Sequence, residues 1–93
     1  MDIIDVLTQI AKAPKLKRLF LGRNNIQYLP KNLVLPDSLE VFDLSNNNIK
    51  QLPVKIIKYT NLKEINLHSN PLDTMAVKKI EREMINTKFY YDK

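Results

Sequence analysis

The sequence predicts an α/β solenoid: a stack of short coils with one parallel sheet. Three stretches, which begin at Leu16, Leu39 and Leu62, repeat with a period of 23 residues. They read LKRLFLGRNNIQYLP, LEVFDLSNNNIKQLP and LKEINLHSNPLDTMA, and large apolar residues and one asparagine recur at the same six offsets in all three. Helical patterns flank the repeats at both ends. Repeats of this length bury their apolar faces against their neighbours.

A short strand opens each repeat. In the first repeat, Leu19 and Leu21 are two residues apart and point to one face of a strand, whereas Arg18 and Phe20 point to the other face. One face is therefore core and the other is free. The predicted strands centre on residues 19–21, 42–44 and 65–67 and form one parallel sheet.

An asparagine follows each predicted strand at the same distance. Its short amide bonds nearby backbone groups and tolerates turn conformations, which suits a sharp exit from a strand. We therefore interpret Asn24, Asn47 and Asn70 as structural residues that satisfy backbone groups within and between neighbouring coils.

The motif in the three stretches resembles the leucine-rich repeat, L-x-x-L-x-L-x-x-N-x-L. Leu29-Pro30 and Leu52-Pro53 resemble the LPxxL segment of intracellular leucine-rich repeat proteins of the 23-residue type, here in a minimal three-repeat form. The resemblance covers residues 16–73. It implies a right-handed coil with a short parallel concave sheet, and a protein-binding scaffold rather than a catalyst.

The amino terminus has the features of a capping helix. Asp2 can cap it, Asp5 favours its first turn and Pro14 would end it. Its apolar residues follow a helical spacing: Ile3, Leu7, Ile10 and Ala11.

The carboxy terminus has a second helical pattern. Asp73 or Thr74 is the predicted start, and Val77, Ile80 and Met84 share one face. We expect at least one of Phe89, Tyr90 and Tyr91 to pack on the core, and expect loss of residues 90–93 to uncover little of it. The predicted organisation is a single domain, with an amino-terminal cap (1–15), repeats (16–38, 39–61 and 62–73) and a carboxy-terminal cap (74–93).

Composition narrows the functional classes. The 93 residues include no cysteine and one histidine, so thiolate chemistry and sites with several imidazoles are excluded. We predict no enzyme activity, no cofactor and no metal. The net charge of +5 permits contact with nucleic acid or an anionic surface. Because the basic residues run from Lys12 to Lys93 with acids interspersed, we interpret them as a solvated surface.

Functional candidates lie on the free face of the predicted sheet. A solvent-facing aromatic residue near arginine is typical of a binding hot spot. Single exposed apolar residues are also common on protein surfaces without any role, and this alternative remains open for Phe20. His68 is open to interpretation as a surface residue or as a pH-sensitive contact. Lys17, Glu40 and Lys63 alternate in sign and are interpreted as a stabilising ladder. The candidate protein-binding residues are Arg18, Phe20, Arg23, Val41, Asp43, Asn66 and His68.

The favoured function is a protein-interaction module in the cytoplasm that acts as an adaptor or masks a partner's surface. The alternative is a basic-surface binder of nucleic acid or an anionic membrane. No apolar run reaches the length of a transmembrane segment. Three short strands present less than the roughly 800 Å² per partner of a standard interface. A protein or peptide partner would therefore also touch the caps, be short or bind weakly, or two copies would self-associate.

Overall fold

The computed structural model describes residues 3–13 and 15–92. The elements run in chain order as helix α1 (Ile3–Ile10), strands β1 (Arg18–Phe20) and β2 (Val41–Asp43), 3-10 helix η1 (Val54–Lys58), strand β3 (Glu64–Asn66), helix α2 (Thr74–Glu83) and strand β4 (Lys88–Tyr90). All four strands form one parallel sheet in the order β1-β2-β3-β4. The parallel sheet and the two α-helices agree with the predicted α/β class.

The strand register follows the sequence period. Leu19 pairs with Phe42, and Phe42 pairs with Ile65, so each step across the sheet is 23 residues along the chain. The three strands begin one residue earlier than predicted. The ladder nevertheless reaches the predicted range, since the N–H of Leu21 donates to the carbonyl oxygen of Asp43 at 2.8 Å.

The core lies on one side of this sheet, as the alternation of side chains predicts. Phe42, Leu44, Ile65 and Leu67 are fully buried, and the leucines and isoleucines that follow each strand complete the interior. In η1, Ile56 is also fully buried. The hydroxyl of Tyr59, just after η1, donates to Leu33 O and accepts from Leu35 N, which ties this segment to the preceding one.

The fourth strand corrects the sequence analysis, which expected three strands and only a helical pattern in the carboxy-terminal cap. The helix ends at Glu83, and β4 pairs with β3 in a register that aligns Ile65 with Phe89, a step of 24 residues. Tyr91 is buried and Phe89 packs partly against the core, whereas Tyr90 lies on the free face. At least one of the three aromatic residues therefore packs, but the expectation that residues 90–93 cover little core is wrong.

The two helices form where the patterns predict. In α1, Leu7 is buried while Ile3 and Ile10 pack partly against the core. The expected cap at Asp2 and helix end at Pro14 lie outside the described residues. The carboxylate of Asp73 caps α2 by accepting from the N–H groups of Met75 and Ala76. Val77, Ile80 and Met84 are buried, as their spacing predicts.

Tyr91 joins β4 to α2 through a hydrogen bond that sets a pH dependence. Its hydroxyl donates to Glu81 Oε1 at 2.7 Å, and this bond, burial and the negative charge of Glu81 together raise the pKa of Tyr91 above its ordinary value near 10. The neutral hydroxyl stabilises the fold fully below pH 10, and that stabilisation is lost as pH rises through the raised pKa.

We expect Glu81→Gln to bring the pKa of Tyr91 down towards its ordinary value, because the charged acceptor disappears. Tyr91→Phe should lower the free energy of unfolding by about 1–2 kcal/mol, since a hydrogen bond to a charged group is lost without loss of the ring. Absorbance of tyrosinate against pH measures the first effect, and urea unfolding the second. An unchanged titration in Glu81→Gln would show that the hydrogen bond does not control this hydroxyl.

Candidate functional site

The free face of the sheet carries rows of side chains from adjacent strands. One row contains Arg18, Val41, Glu64 and Lys88, and the next contains Phe20, Asp43, Asn66 and Tyr90. Arg18 and Val41 are therefore direct neighbours, as are Phe20 and Asp43. We call these two rows the free face.

Phe20 is the prominent apolar group at this surface. Its side chain is 64% exposed, whereas Leu19 and Leu21 on either side are buried. Arg18 and Arg23 are exposed on the same strand and its exit, and Val41 is half-buried beside Arg18. An aromatic ring and guanidinium groups thus lie together in solvent at one end of the sheet.

Phe20 also occupies a position where the other coils use a hydrogen-bonding residue. Asp43 Oδ1 accepts from the N–H of Ser45 at 2.9 Å, and Asn66 Oδ1 accepts from the N–H of His68 at 3.0 Å. These bonds close the turn after each strand. The equivalent N–H in the first repeat belongs to Gly22, and Phe20 has no side-chain acceptor for it. The first repeat therefore lacks this turn hydrogen bond and carries an exposed phenyl ring instead.

Arg23 stands where the backbone favours other residues. Arg23, Asn46 and Ser69 share the same offset in successive coils, and their φ angles are 60°, 57° and 60°. This left-handed region suits Gly and Asn far better than a long side chain. The local backbone conformation therefore does not favour arginine at this position.

Gly22 meets a different constraint. Its φ is not left-handed, so conformational freedom is not what the position requires. A Cβ atom there would lie 3.2 Å from Ser45 Oγ and 3.3 Å from Ser45 O. The glycine permits close approach of the neighbouring coil.

The asparagines bind backbone groups of two coils. Asn47 Oδ1 accepts from the N–H groups of Asn24 and Ile26, and its Nδ2 donates to the carbonyl oxygens of Leu21, Leu44 and Ser45. Asn70 repeats the arrangement, accepting from Ile49 N and donating to Leu44 O, Leu67 O and His68 O. Asn24 is exposed, and among the described residues its side chain donates only to Gly22 O.

The sequence match decides the family. A family model described as leucine rich repeat matches residues 14–72, more than half of the chain. This chain belongs to the leucine-rich repeat family. No match was found among curated proteins. Leucine-rich repeat domains generally mediate protein–protein interaction and are typically non-enzymatic.

The sequence analysis missed three residues on or beside the free face of this leucine-rich repeat protein, because they belong to β4 and to the segment just after it. Lys88 and Tyr90 extend the two rows, and Asp92 lies beside His68. Phe89 and Tyr91 do show the strand alternation, but at a step of 24 residues, which a search at 23 leaves out of register. Allowing one inserted residue would have found them.

His68 and Asp92 form a polar contact at the edge of this face. His68 Nδ1 lies 2.8 Å from Asp92 Oδ1, and the N–H of Ser69 donates to Asp92 Oδ2 at 2.8 Å. The contact with His68 and then the Ser69 N–H lower the pKa of Asp92. Any stabilisation from this carboxylate is present above its unfolded pKa and lost as pH falls through the lowered value.

We expect His68→Ala to raise the pKa of Asp92 part of the way to its ordinary value, since the Ser69 N–H remains. A titration of the side-chain carboxyl carbon by NMR measures it, with Lys55→Ala as a distant control. If Asp92 titrates identically in His68→Ala and in the parent protein, the ring does not hold the carboxylate in solution.

The positive charge is unevenly distributed along the chain. Residues 6–36 contain no Asp or Glu and six basic residues: Lys12, Lys15, Lys17, Arg18, Arg23 and Lys31. The predicted ladder is partial, since Lys63 Nζ lies 3.4 Å from Glu40 Oε1, whereas no ion pair involves Lys17 in the part of the chain that the structure describes. The basic excess therefore lies in the part of the chain that includes β1.

Within the described residues, neither a metal site nor a membrane-spanning helix has a candidate. Across residues 3–13 and 15–92, no three His, Asp or Glu side chains cluster as a metal site would require. Over the same ranges, no helix combines the length and apolar character that crossing a bilayer demands.

Proposed function

We propose that this leucine-rich repeat protein is an interaction module that binds a protein or peptide through the free face, centred on Phe20, Arg18 and Arg23. Val41, Asp43, Asn66 and His68 would border the contact. We further propose that the module works in the cytoplasm, as an adaptor or by masking a surface of its partner.

One observation carries this proposal: the first coil departs from the local needs of its backbone at two neighbouring exposed positions. Phe20 replaces a residue type that caps its turn in the next two coils, and Arg23 holds a left-handed φ of 60°. Aromatic and arginine side chains dominate binding energy in protein interfaces. The hydrogen bonding of the turn does not require Phe20 and the left-handed φ does not require Arg23, whereas contact with a partner would use both side chains.

The proposed architecture matches this function. We infer a right-handed solenoid of the 23-residue LPxxL type with three repeats, a concave free face and terminal segments that cap the stack. The residues of α1 would form the first cap, and those from α2 to β4 the second. Strands about 4.8 Å apart make a face that is still smaller than the roughly 800 Å² of a standard interface, which favours a short peptide or additional contacts with the terminal segments.

The test is affinity capture from cells followed by reconstitution with the purified partner. We expect the parent protein and Lys55→Ala to retain the same partner and Phe20→Ala to lose it, with all three proteins equally folded by circular dichroism. Retention of every captured protein by Phe20→Ala would contradict binding through the free face.

The concentration of basic residues between positions 6 and 36 supports a second candidate, a binder of nucleic acid or an anionic membrane. Salt separates the two. Phosphate binding weakens steeply between about 50 and 200 mM salt, whereas a hot-spot contact changes far less. Isothermal titration of the reconstituted partner, an oligonucleotide and anionic vesicles at both salt concentrations assigns the class.

A further inference from the structure

In the part of the chain that the structure describes, no strand pairs with the outer edge of β1. Each later strand donates its first N–H back to the preceding coil: Val41 N to Lys17 O, Glu64 N to Glu40 O and Lys88 N to Lys63 O, at 2.8–3.1 Å. The equivalent donor in β1 is the N–H of Arg18. Among the described residues it meets no acceptor, because β1 pairs with β2 alone.

The acceptor side of the edge is open as well. The carbonyl oxygens of Asp43, Asn66 and Tyr90 each accept an N–H from the preceding coil, at 2.6–2.8 Å. The equivalent acceptor in β1 is the carbonyl oxygen of Phe20, which receives no donor from residues 3–13 or 15–92. A strand laid parallel beside β1 would meet a donor and an acceptor in the geometry that β2, β3 and β4 already use.

Asn24 extends this open edge beyond the strand. Asn47 and Asn70 use Oδ1 to hold N–H groups of the coil before them and Nδ2 to hold its carbonyl oxygens. Asn24 has the same offset, yet within the described residues its Oδ1 accepts nothing and its Nδ2 donates only to Gly22 O. Its amide therefore faces the position where the backbone of one more coil would leave a strand.

The apolar residues at this end are also less covered than their counterparts. Leu19 is 9% exposed, whereas Phe42 and Ile65 in the same column are fully buried. Leu16 is half-buried, whereas Leu39 and Leu62 are buried. An added strand would complete the burial of this column.

The basic residues around the open edge of β1 indicate which kind of segment would bind there. The open edge lies in the segment without acids, and Lys15, Lys17, Arg18 and Arg23 flank it. A second copy of this chain would bring β4 with Lys88 to the edge, placing Lys88 against Arg18 if the register of the sheet continued. Like charges directly opposite each other destabilise a strand pair, and opposite charges stabilise it. An acidic segment therefore fits this edge better than another copy of the chain.

We propose that β1 accepts an acidic, extended peptide segment of a partner protein as an additional parallel strand, with the amide of Asn24 binding the peptide backbone beyond it. Main-chain hydrogen bonds give such strand addition its affinity, and side chains give it specificity. This inference rests on the proposed function and deepens it, because the same strand carries Arg18 and Phe20. It adds a requirement that side-chain contacts on the free face do not have: the peptide must present backbone N–H and carbonyl groups.

The test uses a heptapeptide of alternating Glu and Val and a version N-methylated at every residue, which keeps the charge of the side chains but has no backbone N–H on either edge to donate to β1. On the protein side, Arg18→Pro removes the open N–H and Arg18→Ala is its matched control, since proline is tolerated on an edge strand where its N–H would face solvent. Asn24→Ala provides an independent variant. Binding is measured by calorimetry, and protection of the Arg18 and Phe20 amides by hydrogen exchange.

We expect the Glu/Val peptide to protect both amides. N-methylation, Arg18→Pro relative to Arg18→Ala, and Asn24→Ala should each weaken binding by about tenfold, as loss of one or two backbone hydrogen bonds implies. Equal binding of the methylated peptide would overturn strand addition, while a loss in Phe20→Ala would still uphold the proposed function. Tighter binding of a single-stranded oligonucleotide than of the peptide would overturn the peptide assignment. Concentration-dependent dimers that protect the same amides without peptide would assign the edge to a second copy instead.

Discussion

Asn47→Ala is expected to lower the free energy of unfolding by about 3 kcal/mol, because burial makes its lost hydrogen bonds costly. The side chain is 6% exposed and makes five hydrogen bonds to the backbone. Truncation leaves the N–H groups of Asn24 and Ile26 and the carbonyl oxygen of Leu21 without these partners. The bonds span two coils, so the loss should loosen the junction between β1 and β2.

Asn24→Ala is the matched control, since it removes the same side chain from the same offset. Asn24 is exposed, and within residues 3–13 and 15–92 its side chain makes a single hydrogen bond, to Gly22 O, so we expect a loss of about 0.5 kcal/mol or less. Urea unfolding of both variants with a common slope gives the comparison. Equal losses would mean that asparagine serves the conformation of the turn alone and that its contacts between coils contribute little.

Phe20→Ala and Leu21→Ala are expected to separate binding from folding. Phe20 is largely exposed on the free face, so its truncation should leave the melting temperature almost unchanged. It should weaken partner binding by about 2 kcal/mol, or roughly thirtyfold in Kd. Arg18→Ala and Arg23→Ala should cost somewhat less. Leu21 is buried, so Leu21→Ala should lower the free energy of unfolding by about 2–5 kcal/mol and impair binding only through unfolding.

The comparison requires the melting temperature and the affinity of each variant, with Lys55→Ala in η1, outside the free face, as the control. Early melting of Phe20→Ala with normal affinity in the folded protein would make Phe20 a core residue. A shift of one residue in β1 would produce that result, because every side chain would then change face.

The sequence by itself determined the α/β class, the parallel sheet and the faces of the first three strands. These features follow from local physics repeated at a constant interval: alternate residues of a strand point to opposite faces, and Leu19, Phe42 and Ile65 recur in step. The exposure of Phe20 was predictable for the same reason. Helical spacing likewise predicted the buried residues of α2, and the cap at Asp73 was one of its two predicted starts.

Tertiary structure decided the features that depend on how distant segments align. The fourth strand follows a step of 24 residues, because α2 and the turn after it replace the connection used by the earlier coils. Pairing across that longer connection brings Asp92 to His68 and Tyr90 to Asn66. Asn24 and Asn47 occupy the same position of the repeat, yet Asn24 is exposed and Asn47 is buried. Among the described residues, only Asn47 has the backbone of another repeat on the side to which its amide points. A side chain's place in a repeat is set locally, whereas its hydrogen bonds and burial depend on the neighbouring coil.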